Sequence, residues 1–259
     1  PAWSVKRPEG AVLAEGQLPT TGLSWGNNQR LGSIDIALSD VQGPEKLVLE
    51  VSIEDYSNSW DLWIYPAEPI DPDGSERVRV TTRLDATTSE YLTNGGVVLL
   101  TMKKGSVAPE KGGSIGVGYS SIFWNTAWTN GQKPHTLGIL CDPAHPALAH
   151  FPTEYHSNWQ WWDAMSHSQA LLLDGLDPKL KPIVRIIDDW FTNRRLGLII
   201  EAKVGAGKLI MTGLDLTSDL KDRPEARQLL YSLKQYMAGD AFDPDITLDV
   251  ADIRQFQIQ

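Results

Sequence analysis

At 259 residues, 41% of them hydrophobic, the chain has room for one large domain or two ordinary ones with packed cores, which excludes global disorder. A formal net charge of -10 argues against nucleic acid and anionic membrane surfaces as partners, since both recruit positive patches. No run approaches the roughly 18 consecutive apolar residues of a membrane span, and no charged-then-apolar leader opens the chain; Pro1-Ala2-Trp3 reads as the start of a mature or excised piece.

The first 66 residues are short and β-like. Val12–Gly16 is a first strand candidate, and Ser33–Leu38 alternates polar and apolar with the period of a half-buried strand. Lys46–Ile53 and Trp60–Tyr65 continue that alternation, with Gly, Pro and Asn between the segments, as in a small sandwich. Pro66–Arg77 then places three prolines and four acids in a row, the composition of a linker.

Beyond it the grammar becomes α/β. Val78–Thr81, a helix from Asp85 to Leu92 and the apolar Gly96–Leu100 form a strand–helix–strand unit, with Asp85 as helix N-cap and Asn94-Gly95 as its stop. Further strands are expected at Ile115–Phe123, Thr136–Leu140, Ala170–Leu173 and Ile183–Ile187, with a helix over Asn158–Ser168. Leu196–Lys203 and Lys208–Leu214, joined by Gly205-Ala206-Gly207, are an antiparallel pair expected to close the sheet. Ala226, Leu229, Leu230, Leu233 and Met237 line one face of a last helix, with Pro224 near its start and Gly239 past its end.

Motifs for chemistry are sparse. Neither dinucleotide-binding nor phosphate-loop glycine patterns occur. His145, His150 and His156 are spaced by five and six, which places no two on one helical face, so no metal or other cofactor is expected. Cys141 ends an apolar strand but lacks the small neighbours of a nucleophile elbow, so it reads as a packed thiol, with a Cys/His hydrolase as the alternative. Asp188-Asp189 ahead of Arg194-Arg195 reads as an acid–arginine network. The unusual feature is ten tryptophans, whose flat apolar faces with one donor suit cores, interfaces and sugar stacking. The Trp124–Trp128 and Trp159–Trp162 clusters fall near expected strand ends, where an α/β sheet forms its crevice. Trp124, Trp128, Trp159, Trp161 and Trp162, with Asn125, His156 and Asn158 as polar companions, are therefore the candidate ligand or partner surface.

Several stretches together carry a resemblance. Gly16-Gln17-Leu18-Pro19-Thr20 and Asn58–Pro66 resemble the β module of bacterial glycoside hydrolase family 2 enzymes of the β-galactosidase and β-glucuronidase kind. Phe123–Thr126, His145–Leu148, Phe151–Thr153, Asn158–Trp162, Ile186–Trp190, Gly205–Leu209 and Arg223–Arg227 resemble their C-terminal region. The α/β part also resembles the class I glutamine amidotransferase-like fold. The resemblance implies an immunoglobulin-like β-sandwich over residues 1–66, a linker over 67–77, and over 78–259 a flavodoxin- or amidotransferase-like α/β module with an antiparallel hairpin near its C-terminus. Family 2 places its acid/base glutamate after an asparagine on a barrel of about 250 residues, and no Asn-Glu pair exists in this chain. The resemblance thus implies a non-catalytic accessory region of a glycan-degrading hydrolase, periplasmic or secreted. Its implied partners are the rest of that enzyme, a glycan or a second copy of itself. A stand-alone carbohydrate-binding protein is the alternative.

Overall fold

The computed structural model describes residues 1–19, 22, 25–67, 75–119 and 135–258. They fall into two compact units, Pro1–Pro66 and Ala67–Gln259.

The first unit is one antiparallel sheet of β1 (Ala2–Lys6), β2 (Val12–Gln17), β3 (Glu45–Ile53) and β4 (Tyr56–Ile64), in the order β2-β1-β3-β4. β3 and β4 pair over their full length around a two-residue turn, where Glu54 takes a left-handed φ of 53°. Val5 and Leu47 are the buried side chains. Gly16 is required by contact: a Cβ there would lie 2.8 Å from the Trp3 ring. Among the described residues there is no second sheet to close a sandwich, and Ser33–Leu38 forms no strand. The alternation of Ser33–Leu38 is real in burial, with Ile34 and Ile36 half-covered, but among the described residues the segment joins no strand ladder, and period alone does not make one.

The second unit is built on β5 (Val78–Thr81), β6 (Val97–Thr101), β7 (Ile139–Cys141), β8 (Leu171–Leu172), β9 (Val184–Ile186), β10 (Leu196–Val204) and β11 (Gly207–Thr212). Their order is β5-β6-β11-β10-β9-β7, with β8 also on β10. β5, β6 and β11 run parallel, whereas β10, β9 and β7 alternate in direction. The β10–β11 hairpin therefore does not close the sheet but lies at its centre, because β11 pairs with β6 on its other side. Gly207 makes this possible: a Cβ there would sit 1.9 Å from the Leu92 carbonyl oxygen and 2.4 Å from that of Gly96.

Helix α1 (Ala86–Thr93) starts at Asp85, whose carboxylate accepts the Thr88 N–H at 2.7 Å. α1, with Leu92, and α4 (Val250–Arg254), with Ile253, pack on the sheet face that carries Val98, Leu100, Ile200, Ala202, Leu209 and Met211. α3 (Pro224–Ala238) covers the opposite face, where Tyr236 reaches Glu201 of β10. It starts at Pro224 and buries Ala226, Leu229, Leu233 and Met237, while Leu230 is only half-buried. Of the expected linker, residues 68–74 lie outside the described residues and Ser75–Arg77 form a 3-10 turn. Ile115–Tyr119 makes one bridge, Gly116 to His135, instead of a strand, and residues 120–123 lie outside the described set. The helix expected over Asn158–Ser168 is a 3-10 turn, Trp159–Trp161, running into the short α2 (Trp162–Ser166). No helix among the described residues is long and apolar enough to cross a membrane.

Candidate functional site

The carboxyl ends of β5, β6 and β11 share one edge of the sheet, and β9, two antiparallel steps from β11, ends there too. At that edge the Thr101 hydroxyl donates to the Leu214 carbonyl at 2.6 Å and accepts the Leu216 N–H at 3.0 Å, so the turn after β11 is tied to β6. Beyond β7, Tyr155 and His156 lie alongside the outer strand, with Cys141 N–H donating to the Tyr155 carbonyl at 2.9 Å and Leu140 bridging antiparallel to His156. This segment runs with β9, so the chain emerges as Ser157–Trp162 at the same edge.

Asn158 caps that turn, its side-chain oxygen accepting the Trp159 N–H at 2.7 Å while its amide donates to Glu154 Oε2 at 3.4 Å. His156 Nε2 lies 3.4 Å from the same carboxylate oxygen. The tight turn separates the three tryptophans. Trp159 and Trp162, three residues apart, are 52% and 60% exposed, as the eclipsed i,i+3 positions of a 3-10 turn allow. Trp161 is fully buried, edge-on to Phe151 at 5.2 Å, with its indole N–H donating to Thr153 Oγ1 at 2.8 Å. Of the expected surface, Trp161 is thus a core residue with no face for a ligand. His156, Asn158, Trp159 and Trp162 are brought together on one turn. Trp124, Asn125 and Trp128 lie outside the described residues. Tyr119 packs edge-on against Trp162, ring centroids 5.3 Å apart.

Two exposed aromatics at this edge escaped the sequence reading: Trp190 and Phe191, edge-to-face at 5.5 Å just after β9. Their signal was the Asp188-Asp189 pair before them, which is an anchor. Asp189 accepts the N–H groups of Phe191 and Thr192, and Asp188 is gripped by Arg194.

A second charged cluster ties α2 to α3. Arg223, buried ahead of α3, donates through Nε to Asp163 Oδ2 at 2.6 Å and through Nη1 to the carbonyls of Asp215 and Ser218. Burial pushes the Asp215 carboxyl up, but N–H and O–H donors from Thr217 and Ser218 outweigh it and bring it down to about 2.

Cys141 lines a cleft of about 1020 Å³ with His145, Glu201, Asp245 and the chain from Pro178 to Ile183. Burial, and then the neighbouring Asp142 carboxylate, push its thiol up to about 12, and its S–H donates to the Glu154 carbonyl at 3.2 Å. A thiol held protonated is a poor nucleophile. The three histidines considered together in sequence are separate in space: His145 packs edge-on to Tyr236, His150 to Tyr231, and His156 lies against Tyr155. Among the described residues no group of three or more His, Cys, Asp or Glu is arranged to hold a metal ion.

Fold and site together define a mixed α and β protein, two open sheets with few helices, that presents an aromatic turn at one sheet edge. Residues 79–257 match the family described as Domain of unknown function (DUF8487), and the chain belongs to that family. Residues 1–66 match a second family, Domain of unknown function (DUF8488). A search of curated proteins finds no match.

Proposed function

We propose that this chain is a non-catalytic accessory region of a glycan-degrading hydrolase, and that the turn from Glu154 to Trp162 is its glycan-contacting surface. The observation that carries this reading is the pair of exposed indoles, Trp159 and Trp162, beside the polar groups of Glu154, His156 and Asn158. Flat apolar faces next to acceptors and donors match a sugar ring, which offers C–H patches on its faces and hydroxyls at its rim. Against a cysteine hydrolase stands the setting of Cys141, where burial pushes the thiol up and its S–H is spent on the Glu154 carbonyl. The finer readings of fold, an immunoglobulin-like module and an amidotransferase-like one, belong to the same proposal, as does a periplasmic or secreted setting. So does assembly with the rest of the enzyme or a second copy.

Titration calorimetry of the full chain against a panel of neutral and acidic oligosaccharides tests it. The reading expects binding to at least one glycan, weakened about tenfold or more by Trp159→Ala, in line with the loss of about 1.4 kcal/mol or more of stacking. No heat with any glycan, or affinity unchanged in both Trp159→Ala and Trp162→Ala, overturns it.

A further inference from the structure

Strand β9 begins at Val184, opposite Ile199 of β10, while β11 takes the other edge of β10 from Ile199 onward. The chain after α3 reaches β10 only at Lys203, whose N–H donates to the Ile246 carbonyl at 2.7 Å. Among the described residues, 200–202 are therefore left with no strand on the β9 side. The cleft of about 1020 Å³ opens there, between Ile183 and Ile246 and at the end of β9 away from the aromatic turn. Glu201, the one acid of β10, lines it and is half-buried. Its Oε2 accepts the Tyr236 hydroxyl at 2.9 Å, and burial pushes its carboxyl up against that bond. Among the described residues no cation pairs with it. Lys203 and Lys208, on the same sheet face, are both held by Asp243, at 3.1 and 3.3 Å. His145 offers the cleft one donor and no charge: its Nδ1 accepts the Ala147 N–H at 3.2 Å, which puts the ring proton on Nε2. Asp245, Lys179 and Lys181 also line the cleft, all exposed, and none of the three side chains is bonded to another group.

We propose that this cleft binds a small zwitterion, a molecule with a primary ammonium group on a short apolar body and an acid group at its far end. A half-buried carboxylate with no counter-ion is costly, and an ammonium group arriving at Glu201 removes that cost. With Oε2 already bonded to Tyr236, Glu201 has one oxygen free, which suits a compact ammonium better than a guanidinium that grips both oxygens. Among the described residues no three His, Cys, Asp or Glu are grouped to hold a metal ion, which favours an organic cation. Leu140, Leu180 and Ile183 give the cleft an apolar wall for the body of the ligand, and Lys179 and Lys181 meet its acid group. Those lysines are exposed, so their part is the smaller one. An anion alone would face three acids, Asp142, Glu201 and Asp245, against the two lysines, and is repelled. The cleft is within the size range of small-molecule sites, roughly 300–1,000 Å³. It is separate from the aromatic turn and stands whether or not that turn meets a glycan.

The experiment titrates the full chain at neutral pH with 6-aminohexanoate, hexylamine and hexanoate, each to about 20 mM, and follows assigned side-chain resonances. The two amines are expected to move the His145 ring and Leu180 methyl signals and to leave the Trp159 and Trp162 indoles in place, with 6-aminohexanoate the tighter of the two. Hexanoate moves none of them. Glu201→Gln keeps an acceptor for Tyr236 and is expected to weaken both amines about tenfold or more. Lys179→Gln and Lys181→Gln together bring 6-aminohexanoate down to the affinity of hexylamine and leave hexylamine no weaker. The proposal is overturned if neither amine moves the His145 and Leu180 signals, if hexanoate binds as tightly as the amines, or if 6-aminohexanoate is no tighter than hexylamine. Amine affinity unchanged in Glu201→Gln overturns it too. The three probe titrations use the unmodified chain, so they decide the matter even where a variant fails to fold.

Discussion

Arg194 grips the buried carboxylate of Asp188 with two N–H groups, Nε on Oδ2 and Nη2 on Oδ1, each at 2.8 Å. Its backbone N–H adds a third bond at 2.7 Å, and Nη2 also reaches Asp189. Removing the guanidinium would strand two buried acids, so Arg194→Ala is expected to cost about 3–4 kcal/mol, and Arg194→Lys to recover only part, since a point charge cannot span two oxygens. Burial pushes Asp188 up, but the bonds from Arg194 outweigh it and leave it below the usual range. The stabilisation is therefore present above the ordinary aspartate range and lost as pH falls through the lowered one. Urea unfolding at neutral pH and at about pH 3 checks this: the deficit of Arg194→Ala should shrink in acid, and an equal deficit at both would contradict the assignment.

Neighbouring tryptophans should respond oppositely to truncation. Trp161→Ala removes a fully buried indole and its bond to Thr153, for an expected loss of about 3–5 kcal/mol. Trp162→Ala, at an exposed site against Tyr119, should cost under about 1 kcal/mol. Thermal unfolding of the two variants side by side is the measurement, and comparable losses would mean that the two indoles are not divided between core and surface.

Cys141 should be inert in the native chain. With the thiol pushed up to about 12, thiol-reactive reagent at about pH 8 should label it at least a hundredfold more slowly than in the urea-unfolded chain, at roughly the ratio of thiolate fractions. Labelling at the unfolded rate would restore a reactive cysteine to consideration.

Where the code is local, it could be read directly. The alternation of Lys46–Ile53 became β3, Asp85 caps α1 through Thr88, and Gly205-Ala206-Gly207 joins β10 to β11. The Pro224-to-Gly239 span became α3 with the expected face buried, apart from half-covered Leu230. The Asp188–Arg194 network was legible because its members are six residues apart. Ser33–Leu38 misled for the complementary reason: it has the period of a strand but joins no ladder among the described residues.

By itself, then, the order of residues determined β3, α1, the β10–β11 hairpin and α3, whose signals are local. Only the tertiary structure decided what those elements do. The hairpin lies at the sheet centre because β11 finds β6, more than a hundred residues away in sequence, as a parallel neighbour. The candidate surface comes down to Trp159 and Trp162, with Trp161 withdrawn, because a 3-10 turn aims successive side chains in different directions. Asp163 meets Arg223, sixty residues later, because α2 and α3 pack against one another. Periodicity and capping act over a few bonds and can be read in one pass. Pairing, burial and long-range ion pairs depend on which distant groups arrive together, and that is set by the packing of the whole domain.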